Sequence, residues 1–249
     1  MREQTIAMYC FLDDLLPRIR PVTARKPNAG RRLNDAQMLT TALVAARYFG
    51  GDPVLGPRYL EQHWGQAKRD KSGFCRRLHA LADTLAVLFA AFGRALKQRH
   101  TETRYVIDSF PVAVCHNTHI PRCKLLRDSA YYGRCASKRS WFYGFKVQLI
   151  ATIDGIPVEY YVHAGSEADQ TGRHGLAQDL PEGSVLYTDA GYTDYVAEDV
   201  FEEATGCRRQ TARKKNSRRP HEPHETYLLQ HVRKTIETSL SQLTARFPK

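Results

Sequence analysis

At 249 residues the chain can hold one large domain or two modest ones, and 42% apolar residues exclude a globally disordered chain. The 37 Lys and Arg against 26 Asp and Glu give a formal charge of +11, which favours a polyanionic partner, nucleic acid ahead of an anionic membrane surface. No apolar run approaches the roughly 18 residues that span a bilayer, the N-terminus lacks signal-peptide order, and the six cysteines form no Cys-x-x-Cys pair; the expectation is a cytoplasmic protein, without a membrane partner, whose thiols are reduced and mostly packed.

Up to about His100 the periodicity is helical. Asn34 and Gln37 have capping-box spacing, and Leu39, Ala42, Leu43 and Ala46 share one face of the helix they open. The pattern breaks at Gly50-Gly51-Asp52-Pro53. After Ser72 one longer helix is expected, with Phe74, Leu78, Leu81, Leu85, Leu88, Phe92 and Leu96 as its apolar stripe.

From Thr103 the period becomes that of strands. Tyr105 to Val112 is an apolar run stopped by Pro111. Phe145, Val147, Leu149, Ala151 and Ile153 alternate, Asp154-Gly155 marks a hairpin turn, and Val158, Tyr160 and Val162 alternate again. A helix is expected from Thr171 to Asp179, a short buried strand from Val185 to Thr188, and a helix from Thr193 to Ala204 with Asp194, Glu198, Asp199, Glu202 and Glu203 on its wet side. A basic segment, Cys207 to Pro220, and a Pro-His-Glu-Pro-His loop follow. The last helix, about Thr226 to Thr244, buries Leu229, Val232, Ile236, Leu240 and Leu243, with Glu237 at the margin of that stripe. The division expected is an all-α region over 1–100 and an α/β region over 101–249.

Three acids stand out by position: Asp108 on the first strand, Asp189 at the end of the fourth, and Glu237 on the late helix. Each alone reads as a turn, cap or solvated residue. Together they match an RNase H-like core, a mixed five-stranded sheet flanked by helices in which strands one and four are neighbours. Carboxylates on rigid elements suit hard divalent cations, and a pair of ions about 3.5–4 Å apart would activate the attacking oxygen and stabilise the leaving one.

Several segments in order carry a resemblance: Val-Ile-Asp108-Ser-Phe-Pro-Val, Ala-Ser137-Lys138-Arg139-Ser-Trp-Phe-Tyr-Gly144-Phe-Lys146, Gly165-Ser166-Glu-Ala-Asp169, Leu-Tyr-Thr-Asp189-Ala-Gly191-Tyr192, Arg213-Lys214-Lys215-Asn216-Ser217 and Arg233-Lys-Thr-Ile-Glu237. From about Leu33 almost to its end the chain resembles bacterial insertion-sequence transposases of the DDE type, most closely the insertion sequence 982 family. The resemblance implies that Asp108, Asp189 and Glu237 are catalytic and hold Mg²⁺ or Mn²⁺, two ions in all. It implies phosphate contacts from Lys138, Arg139, Lys146, Arg213, Lys214, Lys215 and Arg233, and a DNA-binding role for the all-α region over 1–100. The partners implied are duplex DNA carrying terminal inverted repeats, target DNA and further copies of the chain, in a protein associated with the bacterial nucleoid.

Gln230 stands where related transposases carry the tyrosine of a Tyr-Arg-Glu signature, and Ala190 where relatives often carry Lys. The family usually continues past the catalytic helix, so in a chain ending at Lys249 either that helix packs without such a tail or the copy is C-terminally shortened. The alternative function is another RNase H-like nuclease or a truncated, non-catalytic DNA-binding remnant. Cys115, His116, His119 and Cys123 can be drawn as a zinc set but lack knuckle spacing. Tyr131, Tyr132, Trp141, Phe142 and Tyr143 read first as strand packing and second as stacking surfaces for extruded bases.

Overall fold

The computed structural model describes residues 1–19, 33–135, 139–173 and 175–246. They gather into two compact units, Met1–Phe92 with Gln242–Lys249, and Gly93–Ser241.

The first unit is helical: α1 (Arg2–Ile19), α2 (Asp35–Tyr48), α3 (Leu55–Trp64), α4 (Lys71–His79) and most of α5 (Ala82–Arg99). The capping box forms, Asn34 accepting the Gln37 N–H at 2.7 Å and Gln37 accepting the Asn34 N–H at 2.8 Å. Gly50 and Gly51 take positive φ after α2, and the Asp52 carboxylate then accepts the Val54 and Leu55 N–H groups to open α3. The single helix expected after Ser72 is two helices, α4 and α5, bent by 59°. Neither Gly nor Pro marks that break. Phe74, Leu81 and Leu88 bury in one cluster with Leu12, Leu33, Met38 and Leu39, whereas a straight helix would hold Phe74 and Leu88 about 21 Å apart. No single described helix is long and apolar enough to cross a membrane.

The second unit is built on a six-stranded mixed sheet, one strand more than expected: β1 (Arg104–Cys115), β2 (Tyr132–Cys135), β3 (Ser140–Thr152), β4 (Pro157–Ala164), β5 (Val185–Thr188) and β6 (Arg208–Thr211). The order is β4-β3-β1-β5-β6, with β2 pairing the first four residues of β3 and β4 pairing its later ones. β3 and β4 form the expected hairpin, with Gly155 at φ 81 in its turn. β1 pairs antiparallel with β3 and parallel with β5, and β5 parallel with β6. Tyr105, Ile107, Ile150, Val158, Leu186, Tyr192 and Cys207 form the core.

Four expectations need correction. Pro111 does not stop β1 but lies inside it. The Arg104 carbonyl accepts from Ile153, and the Thr103 carbonyl from Val185 at the head of β5. By alternation Pro111 turns its nitrogen to the β5 side, where pairing ends at Val106, so no ladder bond is lost. The helix expected over 171–179 is the short α6 (Asp169–Arg173), because Gly172 fits against the His163 ring and Gly175 against the Tyr161 ring. The basic segment begins as β6, a strand in which Arg209, Gln210 and Thr211 are buried. Of the six cysteines, all free, only Cys207 is buried.

Helix α7 (Tyr195–Thr205) also departs from the expected pattern: Glu198 faces inward, 5% exposed, and its carboxylate accepts from the Arg213 guanidinium at 2.9 Å. Burial raises the Glu198 pKa, but Arg213 and the Thr211 hydroxyl outweigh it and hold the carboxyl below its usual range. This pair therefore stabilises the fold at neutral pH, and its contribution is lost as pH falls through that depressed value.

Two stability outcomes follow. Glu198→Gln leaves Arg213 buried without its counter-charge and should cost roughly 3–5 kcal/mol in urea denaturation at pH 7, a deficit that narrows in acid. Gly93 in α5 abuts the Val158 carbonyl of β4, so Gly93→Ala should lower stability by about 1–3 kcal/mol, although alanine is the better helix former. An unchanged urea midpoint would contradict that close approach.

Candidate active site

The parallel register of β1 and β5 builds the centre of the site. Val106 pairs with Tyr187, so two residues further on Asp108, within β1, and Asp189, just past β5, come side by side, on the same face by the two-residue period. Asp108 accepts the Ser109 N–H at 2.8 Å, and Asp189 accepts the Ala190 N–H at 2.6 Å. The third acid comes from α8 (Pro223–Arg246), which buries Leu229, Val232, Ile236 and Leu240. That stripe leaves Glu237 on the margin, 59% exposed.

Arg233, one turn before Glu237, joins the acids. Its guanidinium lies 3.2 Å from the Asp189 carboxylate and 3.8 Å from that of Glu237. Burial pushes the Asp108 pKa up to about 6; the Ser109 N–H and Arg233 pull against this, while Asp189 and Asp169 add to it. Ionisation of Asp108 is thus opposed mainly by its burial, with the neighbouring acids adding to the cost.

By its place in the sequence, ahead of a helix, Asp169 has the signature of a cap. It is the first residue of α6, but its carboxylate also accepts from the Ser109 hydroxyl at 3.0 Å and lies 3.3 Å from the Lys146 ammonium. The Tyr192 hydroxyl lies in the same group, its pKa pushed far up by burial and then by Asp169 and Asp108, so it stays protonated. The signal was the segment Gly165-Ser-Glu-Ala-Asp169, but an Asp before a helix reads as a cap unless its three-dimensional neighbours are known.

The basic residues divide. Arg213 is committed to Glu198 with its side chain 9% exposed, which removes it from the surface set. Lys146 is 14% exposed and donates to the Glu167 carbonyl at 2.9 Å besides pairing with Asp169, so it braces the acids from within. Lys214 and Lys215 are exposed. Lys214 lines a cavity of about 270 Å³ with Gln170, Ala190, Gly191, Thr193 and Asn216, beginning next to Asp189. Arg139 is exposed in the turn before β3 with φ 48, and Lys138 lies outside the described residues.

Among the described residues no three His, Cys, Asp or Glu side chains stand close enough to ligate one ion. Asp189 and Glu237 instead share the Arg233 guanidinium, which supplies positive charge between them. The donor chemistry, carboxylate oxygens around a half-buried Asp108 whose ionisation its surroundings oppose, fits a hard divalent cation.

A family model described as a transposase DDE domain matches residues 98–246, more than half of the chain and all three acids. No curated protein matches it.

Because the folded-state pKa of Asp108 is raised, its contribution to stability is full below the ordinary aspartate value and is lost as pH rises to about 6. With metal chelated, Asp108→Asn should therefore be more stable than the parent at pH 7, by roughly 1–3 kcal/mol, and should flatten the stability profile between pH 4 and 6. A variant less stable at pH 7 would show that Asp108 is not held against its ionisation.

Proposed function

Since the chain belongs to the family of transposase DDE domains, we propose that it cuts and rejoins DNA at the ends of an insertion sequence, with Asp108, Asp189 and Glu237 as its catalytic acids. One observation supports this above the others: adjacent parallel strands carry Asp108 and Asp189 side by side, and Arg233 ties the second to the acid of α8. A fold needs no such gathering of acids, in which burial first, and then Asp189 and Asp169, raise the Asp108 pKa to about 6.

In this reading Asp108 and Asp189, completed by Glu237, hold Mg²⁺ or Mn²⁺, two ions in all, and the metal supplies Lewis-acid activation of the attacking water or 3′-hydroxyl and stabilises the leaving oxygen. Arg233 keeps Asp189 and Glu237 within reach of each other. Lys146 steadies Asp169 and, through Ser109, the backbone beside Asp108. Lys214, Lys215 and Arg139 hold phosphates at the surface, Lys214 from the cavity that opens beside Asp189. Lys138 belongs to the same set by sequence. The helical region over 1–100 binds the terminal inverted repeats of the element, which is of the insertion sequence 982 type, and copies of the chain assemble on DNA to bring two ends and the target together.

Asp108→Asn and Asp189→Asn should each lower Mg²⁺-dependent nicking of a transposon-end duplex by about a thousandfold or more while leaving the gel shift of that duplex unchanged. Cleavage retained by either variant would sink the assignment. Hydrolysis without transfer of the 3′-hydroxyl to a second duplex would instead identify a nuclease, and binding without either reaction a DNA-binding protein.

A further inference from the structure

A second surface of the Gly93–Ser241 unit has no part in the acid cluster. β2 and β3 pair so that Arg134 lies opposite Trp141, Gly133 opposite Phe142, and Tyr132 opposite Tyr143. Directly opposed residues share a face, so Trp141, Arg134, Tyr132 and Tyr143 line one side of the ribbon and Phe142 the other. The Phe142 side is closed: that ring packs on Gly133 and Gly165, where neither glycine has room for a Cβ. On the opposite side Trp141 is 62% and Tyr132 45% exposed, large aromatic area that folding leaves in water. The Arg134 guanidinium lies 6.0 Å from the Trp141 ring.

The loop between β1 and β2 walls this face. Asn117 donates to the Trp141 carbonyl at 2.9 Å and the Tyr143 hydroxyl to the Asp128 carbonyl at 3.2 Å, which pins the loop to β3 at both ends. Between these ties lies a cavity of about 670 Å³, lined by Arg122, Lys124, Arg127, Tyr132 and Tyr143 among others. All three cations are exposed, and among the described residues none has an acidic partner. Asp128, the acid in the wall, has its carboxylate accepting the Ala130 N–H at 2.9 Å.

We propose that this face is a binding site for unpaired nucleotides of a DNA strand, with a base stacked on Trp141 and the flanking phosphates held by Arg122, Lys124, Arg127 and Arg134. An exposed indole beside a cavity with unneutralised cations matches the two halves of a nucleotide, the flat apolar base and the anionic backbone. A duplex keeps its base faces stacked on one another and presents only phosphate here. The choice of DNA over RNA rests on the function proposed above; the stacking geometry does not.

The chain has two tryptophans, Trp64 and Trp141, so Trp64→Phe leaves Trp141 as the sole indole reporter. With metal chelated, titration with short oligothymidylate should quench Trp141 fluorescence, while inorganic polyphosphate and a duplex of the same length should quench it little. Trp141→Ala should weaken oligothymidylate binding about tenfold, and Trp141→Phe should recover most of that loss. Equal quenching by polyphosphate or by the duplex would overturn the proposal, as would its absence at saturating oligothymidylate; the quenching readout needs no substitution at Trp141 and so does not depend on how those variants fold. Metal-dependent nicking measured on the same Trp64→Phe protein keeps the readings apart, since nicking without quenching removes the stacking site alone, and quenching without nicking removes the catalytic reading alone.

Discussion

The in-register parallel pairing of β1 with β5 is the constraint on which the unit that carries the acids turns. Three residue pairs, Arg104 with Val185 through Val106 with Tyr187, fix the strands, and the chain then runs on from both into Asp108 and Asp189. A one-residue slip would send one carboxylate to the opposite face of the sheet. The core is arranged to prevent that slip: Tyr105, Ile107 and Leu186 are fully or almost fully buried, and the Val185 N–H is bound to the Thr103 carbonyl before the ladder begins. Hydrophobic burial on the strands therefore positions two like charges that would otherwise separate.

The consequences of that forced proximity explain the neighbouring residues. Asp108 has its ionisation opposed by burial, and Arg233 offsets part of this while binding Asp189 and reaching towards Glu237. Asp169 would worsen the repulsion, but Lys146 stands beside it. Elsewhere in the same unit a different solution appears: Glu198 and Arg213 are buried as a matched pair and hold α7 to the chain leaving β6. One cluster is electrostatically unfinished and open; the other is neutralised and closed. That contrast separates a site from a structural lock more clearly than residue type does, since both contain an arginine between elements.

Much of this was legible in the sequence. The alternation of Phe145 to Ile153 and Val158 to Val162 gave the hairpin, Val185 to Thr188 the strand before Asp189, and Leu229 to Leu240 the buried stripe that leaves Glu237 at its edge. What stayed hidden depended on partners distant in sequence. β6 carries Arg208 and Arg209 of the basic segment, whose charges hide a strand until Phe201 is placed under the Arg209 guanidinium at 4.4 Å. Glu198 reads as one of five wet acids until Arg213 is placed against it. The break between α4 and α5 has no local signal, because it comes from the need to put Phe74 and Leu88 in one core. Asp169 has a helix-cap signature that conceals its nearness to Asp108.

The proline within β1 has a meaning beyond the ladder bond it does without. Past Val106 one side of β1 has no strand beside it among the described residues, and this open stretch leads away from the acids. Bare backbone donors there would invite a strand from another molecule to zip on, burying the acids in an aggregate. Pro111 interrupts that row of donors with an imide nitrogen and makes the edge a poor template for further pairing. The strand that carries Asp108 can thus go without a partner strand on one side past Val106 without making the folded protein self-adhesive.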